Sequence, residues 1–360
     1  MTTLSKLLRQ DVVAICHDDG RKVGTPGHDD AREYLRQRIS EIGCVPYIGK
    51  SFELPYKVAH QGFCNLVGRI PGRDSKLPPL LVGAHYDSVI SFPCADDNAA
   101  AVAIALHAGR IIGESGGLER DVVVAIFDAE EPPYFQGHAM GSNRFYEDHV
   151  LGKREIHAAL VMDLVGHDVS LPDAMSEGLP VIDPLTGSIY DSARRDTSNP
   201  ALRSLLFVTG SESHQELTGV LGAIGQPKGL RVMPTLNSYV GDMSDHGVFR
   251  RNGVPYFFLS CGMWEHYHMP TDTPDRLNYD KMSAITHYVI QMITLMGERE
   301  LAGRTGKEQI HDTLDLESSF MREAFGDLQQ LVMRWAGISD VDTRATMSQL
   351  VERLLLMGLR

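Results

Sequence analysis

The chain has 360 residues, 43% of them hydrophobic, and a formal net charge of −13. That length accommodates one large α/β domain with an appendage. The acidic balance sets nucleic acid and anionic membranes aside as partners, because both need concentrated Lys and Arg.

The N-terminal MTTLSKLLRQDVV carries no long apolar segment behind a positive start, and no other stretch reaches membrane-spanning length, so a cytoplasmic protein is expected. Five scattered cysteines (Cys16, Cys44, Cys64, Cys94, Cys261) without CxxC spacing fit a reducing compartment rather than a disulfide framework. Residues 1 to 17 form an apolar-faced helix, and Pro26 with Asp29 and Asp30 starts a second through Glu41, closed by Gly43. Pro46 to Val58 and Phe63 to Pro71 alternate and read as strands joined by a turn. The apolar run Leu80 to Ala84 reads as a buried central strand that delivers His85 and Asp87 to its end. Strand residues two apart point to one side, so Asp87 can accept a hydrogen bond from the second ring nitrogen of His85, the usual support for a metal-binding histidine. Asp96 and Asp97 then open the helix-forming run Ala99 to Arg110, an acidic pair at a strand-to-helix junction.

Further strands are expected at Asp121 to Phe127, Ala158 to Asp163, Leu202 to Val208 and Pro255 to Ser260, with helices near Gly141 to Asp148, Ser211 to Ile224 and Tyr279 to Met296. This alternation predicts an α/β three-layer sandwich: a mixed, largely parallel central sheet with helices on both faces. Such sheets gather chemistry at the carboxyl ends of their strands. There the chain places Glu130 and Glu131, then Asp163, then His266 and His268 in WEHYHMPTDTPD. Neighbouring residues of extended backbone point in opposite directions, so one glutamate can bind metal while the other faces water. Spacing alone does not choose between His266 and His268. Each residue singly is an ordinary turn or cap residue, but the ordered set points to a two-metal site. Residues 167 to 200, rich in prolines and turn formers, read as a long excursion from the domain spanning 1–300, and 301–360 as a helical extension. In that extension Phe320, Ala324, Leu328, Val332 and Trp335 fall at near-helical spacing, as do Met347, Leu350, Val351 and Leu354; the stripe serves packing on the parent domain or a homo-oligomer contact.

The order GAHYDS, CADDN, AEEPP, MDLVG and YHMPTDTPD resembles the co-catalytic zinc metallopeptidases of clan MH, peptidase family twenty-eight, with the bacterial leucyl aminopeptidases and glutamate carboxypeptidases. The likeness spans roughly residues 20 to 300 and includes RKVGTPG and SDHGVFRRNGVP. It implies two divalent ions, most simply Zn2+, with Asp96 bridging, His85 and Asp163 completing one site, and Glu131 and His268 the other. It also implies a cis Asp96–Asp97 peptide, a catalytic role for Glu130 supported by Asp87, and substrate contacts near Tyr239, Asp245 and His246.

The resulting expectation is an aminopeptidase acting on peptide or aminoacyl substrates, with Glu130, free of metal, as general base. Carboxypeptidase or deacylase action is the alternative, since Arg194, Arg195, Arg250 and Arg251 are available to hold a terminal carboxylate. A single-zinc glutaminyl cyclase would need fewer ligands, and an inactive binding module usually loses some; none is missing here.

Overall fold

A computed structural model of the chain describes residues 1–169, 181–182, 189–190, 203–301, 311–326 and 328–356. Most of the excursion 167–200, with Arg194 and Arg195, lies outside the described residues. The strands are β1 (Val45–Pro46), β2 (Glu53–Val58), β3 (Gln61–Ile70), β4 (Leu80–His85), β5 (Val122–Phe127), β6 (Ala158–Met162), β7 (Val181–Ile182), β8 (Ile189–Tyr190), β9 (Leu205–Thr209), β10 (Arg231–Thr235) and β11 (Tyr256–Ser260). The helices are α1 (Thr3–Ile15), α2 (Pro26–Glu41), α3 (Ala100–Glu114), α4 (Gly141–Phe145), α5 (Gln215–Ile224), α6 (Asn237–Val240), α7 (His246–Arg251), α8 (Tyr279–Glu298), α9 (Leu314–Phe325), α10 (Leu328–Trp335) and α11 (Arg344–Leu356).

Nine strands form one sheet in the order β1-β3-β5-β4-β6-β11-β9-β10, with β2 also paired to β3. Its centre, β5-β4-β6-β11, is parallel throughout. The flanks reverse direction: β3 runs antiparallel to β5, and β9 antiparallel to β11. The fold is thus the mixed three-layer sandwich expected. A period of two explains the layers. Leu80, Val82 and Ala84 of β4, with Val122, Val124 and Ile126 of β5, pack under α1, α2, α3 and α8. Leu81, Val123, Ala125 and Phe127 face the opposite layer, with Phe145, Val248 and Phe249. Both faces are buried, so the strands carry continuous apolar runs.

Two local features depart from the sequence expectation, and a third, in the C-terminal stretch, follows one of its two alternatives. β10 carries no clear strand signal, because RVMPT is short and contains Pro234; an edge position tolerates that proline. The helix expected from Ser211 begins with a tight turn, Ser211–Ser213, before α5 starts at Gln215, where the His214 side chain accepts from the Glu216 amide. In the C-terminal stretch Phe320, Met321, Ala324, Phe325, Met347 and Leu350 join the core formed by the helix layer and the sheet, and α9 packs against β10. Among the described residues no helix is long and apolar enough to cross a membrane.

Candidate metal centre

The four parallel central strands end on one edge, and their exits carry the chemistry. His85 closes β4, Glu130 and Glu131 follow β5, Asp163 follows β6, and His268 lies on the loop after β11. Two groups of potential ligands result, His85 with Glu130 and Asp163, and Asp97 with Glu131 and His268. In the first, His85 Nε2 lies 3.6 Å from Asp163 Oδ2 and 3.8 Å from Glu130 Oε2. In the second, His268 Nε2 lies 3.1 Å from Asp97 Oδ2 and 3.5 Å from Glu131 Oε2. The groups are joined by Asp97, whose Oδ1 is 3.4 Å from His85 Nε2.

Asp97, not the expected Asp96, therefore stands between the groups. The wide turn Ala95–Ala99 rotates the two side chains apart. Asp96 faces backwards, where it accepts hydrogen bonds from the Gly166 amide at 2.5 Å and pairs with His167 Nδ1 at 2.6 Å. A side chain at Gly166 would begin 2.7 Å from Asp96 Oδ1, so only glycine admits this approach. The cis peptide is likewise one residue further on, Asp97–Asn98 rather than Asp96–Asp97.

Asp87 does two things at once. Its Oδ1 lies 3.4 Å from His85 Nδ1, and its two oxygens accept the amides of Glu130 and Glu131, each at 3.0 Å. One carboxylate thereby orients a ring and aims the glutamate pair. The backbone is held in the left-handed region at Cys94, Ala129, Leu164 and His268, with φ of 47, 55, 54 and 57°. Each is a ligand-group residue or lies within three positions of one, and such conformations persist where surrounding structure enforces them.

The site fits divalent cations on two observations. Among the described residues His85 Nε2, Glu131 Oε1 and Asp163 Oδ1 are buried without a hydrogen-bond partner. Buried polar atoms are rarely left so unless something else satisfies them. The charge balance agrees: the two groups hold four carboxylates against two imidazoles. Burial, then the charge of Asp97, pushes the Glu131 carboxyl up to about 8, against the pull of His268. Burial also raises Glu130 and Asp163. His268 is pushed up to about 10, because Asp97 and Glu131 outweigh its burial. A cluster that draws protons this strongly is built for positive charge, and His with carboxylate oxygen suits zinc and its neighbours.

Other candidates sit differently. His266 bonds Thr271 Oγ1 at 2.8 Å and lies outside both groups. The Tyr239 hydroxyl is 3.1 Å from Ser348 Oγ and accepts from Arg344 at 3.3 Å, so it faces the C-terminal helices. His246 stacks on Phe258 at 4.1 Å and contacts Asn237 Oδ1 at 3.1 Å; burial lowers its pKa to about 4 and keeps it neutral. Asp245 is fully buried in electrostatic reach of the first group, and burial lifts its carboxyl to about 7 while His85 pulls the other way. Arg250 and Arg251 both pair with Asp242, at 2.5 and 3.0 Å, which occupies the cations considered for a terminal carboxylate. Sequence reasoning missed Tyr267, whose ring stacks on His268 at 3.7 Å. Burial, followed by the charges of Asp97, Asp163, Glu131 and Glu130, raises its hydroxyl pKa, so it adjoins both groups. An aromatic next to a candidate ligand was the available signal.

Comparison with known proteins places this arrangement. The uncharacterized protein YfbL of Escherichia coli is 27% identical over 232 residues, covering 60% of this chain and 66% of that one. Leucine aminopeptidase 1 of Aspergillus fumigatus is 29% identical over 148 residues, 38% of this chain and 35% of the fungal protein. The match thus spans about a third of the length of the fungal relative. Among solved structures, the LapA aminopeptidase of Legionella pneumophila superposes with a TM-score of 0.61 at 17% identity, covering 82% of this chain and 71% of that one. Porphyromonas gingivalis glutaminyl cyclase gives 0.54 at 16%, over 80% of this chain and 96% of the cyclase. At such identities these two likenesses speak for the fold. Residues 65–293, more than half of the chain and the stretch that holds every member of both groups, match the model of Peptidase family M28, and the chain belongs to that family.

Proposed function

We propose that the chain is a metal-dependent exopeptidase that releases N-terminal residues from peptides, using two divalent cations, zinc by the nature of the donors. Peptidases of this family are metal-dependent, typically with zinc. One observation carries the reading: Asp97 turns its two oxygens to different groups, Oδ1 3.4 Å from His85 and Oδ2 3.1 Å from His268. With Asp97 shared, His85 and Asp163 would hold one cation, Glu131 and His268 the other, and Glu130 is left unspent. Bound there, such cations supply Lewis acidity toward a carbonyl and toward water. Glu130 then takes the proton of the attacking water and returns it to the departing amine. Asp87 keeps Glu130 aimed through its amide and holds the His85 ring. Tyr267, beside His268, replaces Tyr239 as the donor for the developing oxyanion.

Two features favour an amine-terminal substrate. The carboxylates of the site suit an ammonium, and the paired state of Arg250 and Arg251 removes two candidates for a carboxylate clamp. The test combines zinc titration of the metal-free protein with a panel of aminoacyl p-nitroanilides, their N-acetyl counterparts and glutaminyl peptides. Two equivalents of zinc and turnover of free-amine substrates alone are expected. Preference for N-acetylated substrates would overturn the aminopeptidase reading, and one equivalent with ring closure of glutaminyl peptides would replace it by cyclase chemistry.

A further inference from the structure

Two motifs of the sequence remain without a role: RKVGTPG, which holds Arg21, and PTDT, which holds Asp272. Both side chains end on the same short piece of backbone. Arg21 is fully buried, yet its recorded partners are carbonyl oxygens rather than carboxylates. Its Nε donates to Tyr86 at 2.7 Å, one terminal nitrogen to Pro93 at 2.5 Å, and the other to Cys94 at 2.9 Å and Asp97 at 3.4 Å. Ser88 closes the same loop by accepting the Arg21 amide at 2.7 Å. On the other side Asp272, only 1% exposed, accepts the amide of Asp96 at 2.9 Å and that of Asp97 at 3.2 Å. Its own carbonyl accepts the Ala95 amide at 3.2 Å.

Carbonyls of the segment thus point at a buried guanidinium and its amides at a buried carboxyl group. An aspartate side chain is short, so its backbone sets where the carboxylate lies, and Asp97 must reach two imidazoles at once. Asp272 also lies four residues after His268, and its amide donates to Met269, so it ties the His268 loop to the Asp97 turn. Two of the three members of the second group therefore hang on one residue, Asp97 through its carboxylate and the His268 loop through its backbone amide.

We propose that Arg21 and Asp272 are positioning residues that grip the segment Pro93–Asp97 from opposite sides and hold Asp97 and His268 in register, so that the second cation depends on them more than the first. The proposal rests on the reading of the two groups as cation sites, and the experiment separates the two claims. Metal-free wild type, Asp272→Asn and Arg21→Lys are titrated with zinc by calorimetry, with circular dichroism on each metal-free protein. Wild type is expected to take up two equivalents. In Asp272→Asn one equivalent should weaken by about 10- to 100-fold, the scale of lost support behind a ligand, while the other, which shares Asp97 but not His268, should weaken severalfold less. Arg21→Lys, which keeps the charge and loses the planar fork, should weaken the same equivalent. Equal weakening of both equivalents, no weakening, or loss of fold in both variants overturns the positioning role. Absence of zinc uptake by folded wild type overturns the cation reading itself, and this inference with it.

Discussion

Two of the buried carboxylate clusters among the described residues differ in one respect. Between α1, α2 and α3, Asp11 receives the Tyr34 hydroxyl at 2.5 Å, Arg38 at 2.8 and 3.1 Å, and His107 Nε2 at 2.8 Å. Its oxygens are engaged by the protein itself. At the carboxyl edge of the sheet, Glu131 and Asp163 each keep a buried oxygen without such a partner among the described residues. Burial is similar, but only in the first cluster are both carboxylate oxygens engaged by donors. Donors that engage a buried carboxylate contribute to stability, whereas buried oxygens left without donors fit a bound cation. Removing a member should therefore damage folding in one place and chemistry in the other.

The largest effect expected is at Glu130. Glu130→Gln should lower kcat by about a thousandfold, within the range for lost acid/base catalysis, with zinc content and thermal midpoint nearly unchanged. A turnover rate within tenfold of wild type would remove Glu130 from the role of base. Next, zinc at about a thousand times its Kd should stabilise the folded protein by about 4 kcal/mol for each cation held, because it binds only the folded state. Asp97→Ala should abolish most of that gain, read as the zinc-induced shift in urea unfolding. Asp96→Asn should retain it if Asp96 is support rather than ligand.

Asp11→Ala sharpens the comparison from the other side. It strands Arg38, Tyr34 and His107 in a buried place, which should cost about 3 kcal/mol in urea unfolding. Rates on an aminoacyl p-nitroanilide, measured well below the melting temperature, should stay within twofold of wild type. A rate loss as large as that of Glu130→Gln would erase the distinction between the clusters.

The same contrast explains how much was legible in the sequence. Strand exits are marked by composition, so the buried runs before His85, Glu130, Asp163 and the His268 loop, and the sandwich they build, were readable from period and order. The choice between Asp96 and Asp97 was not. It depends on how the turn Ala95–Ala99 winds, and two adjacent aspartates look alike until Gly166 and His167 claim one of them. Tyr239 was drawn toward the C-terminal helices by Ser348 and Arg344, more than a hundred residues away in sequence, and Asp242 took up Arg250 and Arg251. Partnerships at that separation, or set by the winding of one turn, leave no periodic trace in the chain.

The smallest effect tests the Asp11 cluster by pH. Asp11 is lowered from 3.8 to about 2; burial works against that shift, and the bonds from His107, Arg38 and Tyr34 overcome it. A carboxyl depressed in the folded state binds its proton more readily when unfolded. Its contribution is therefore fully present above about pH 4 and is lost as pH falls toward 2. At about 1.4 kcal/mol per pH unit between the two pKa values, that contribution is about 2.5 kcal/mol. The check is the difference in unfolding free energy between wild type and Asp11→Asn, followed from pH 5 down to the lowest pH at which both remain folded. That difference should narrow steadily as the wild-type carboxyl becomes protonated. A difference that stays constant with pH would mean that packing around Asp11, rather than its charge, holds the three helices together.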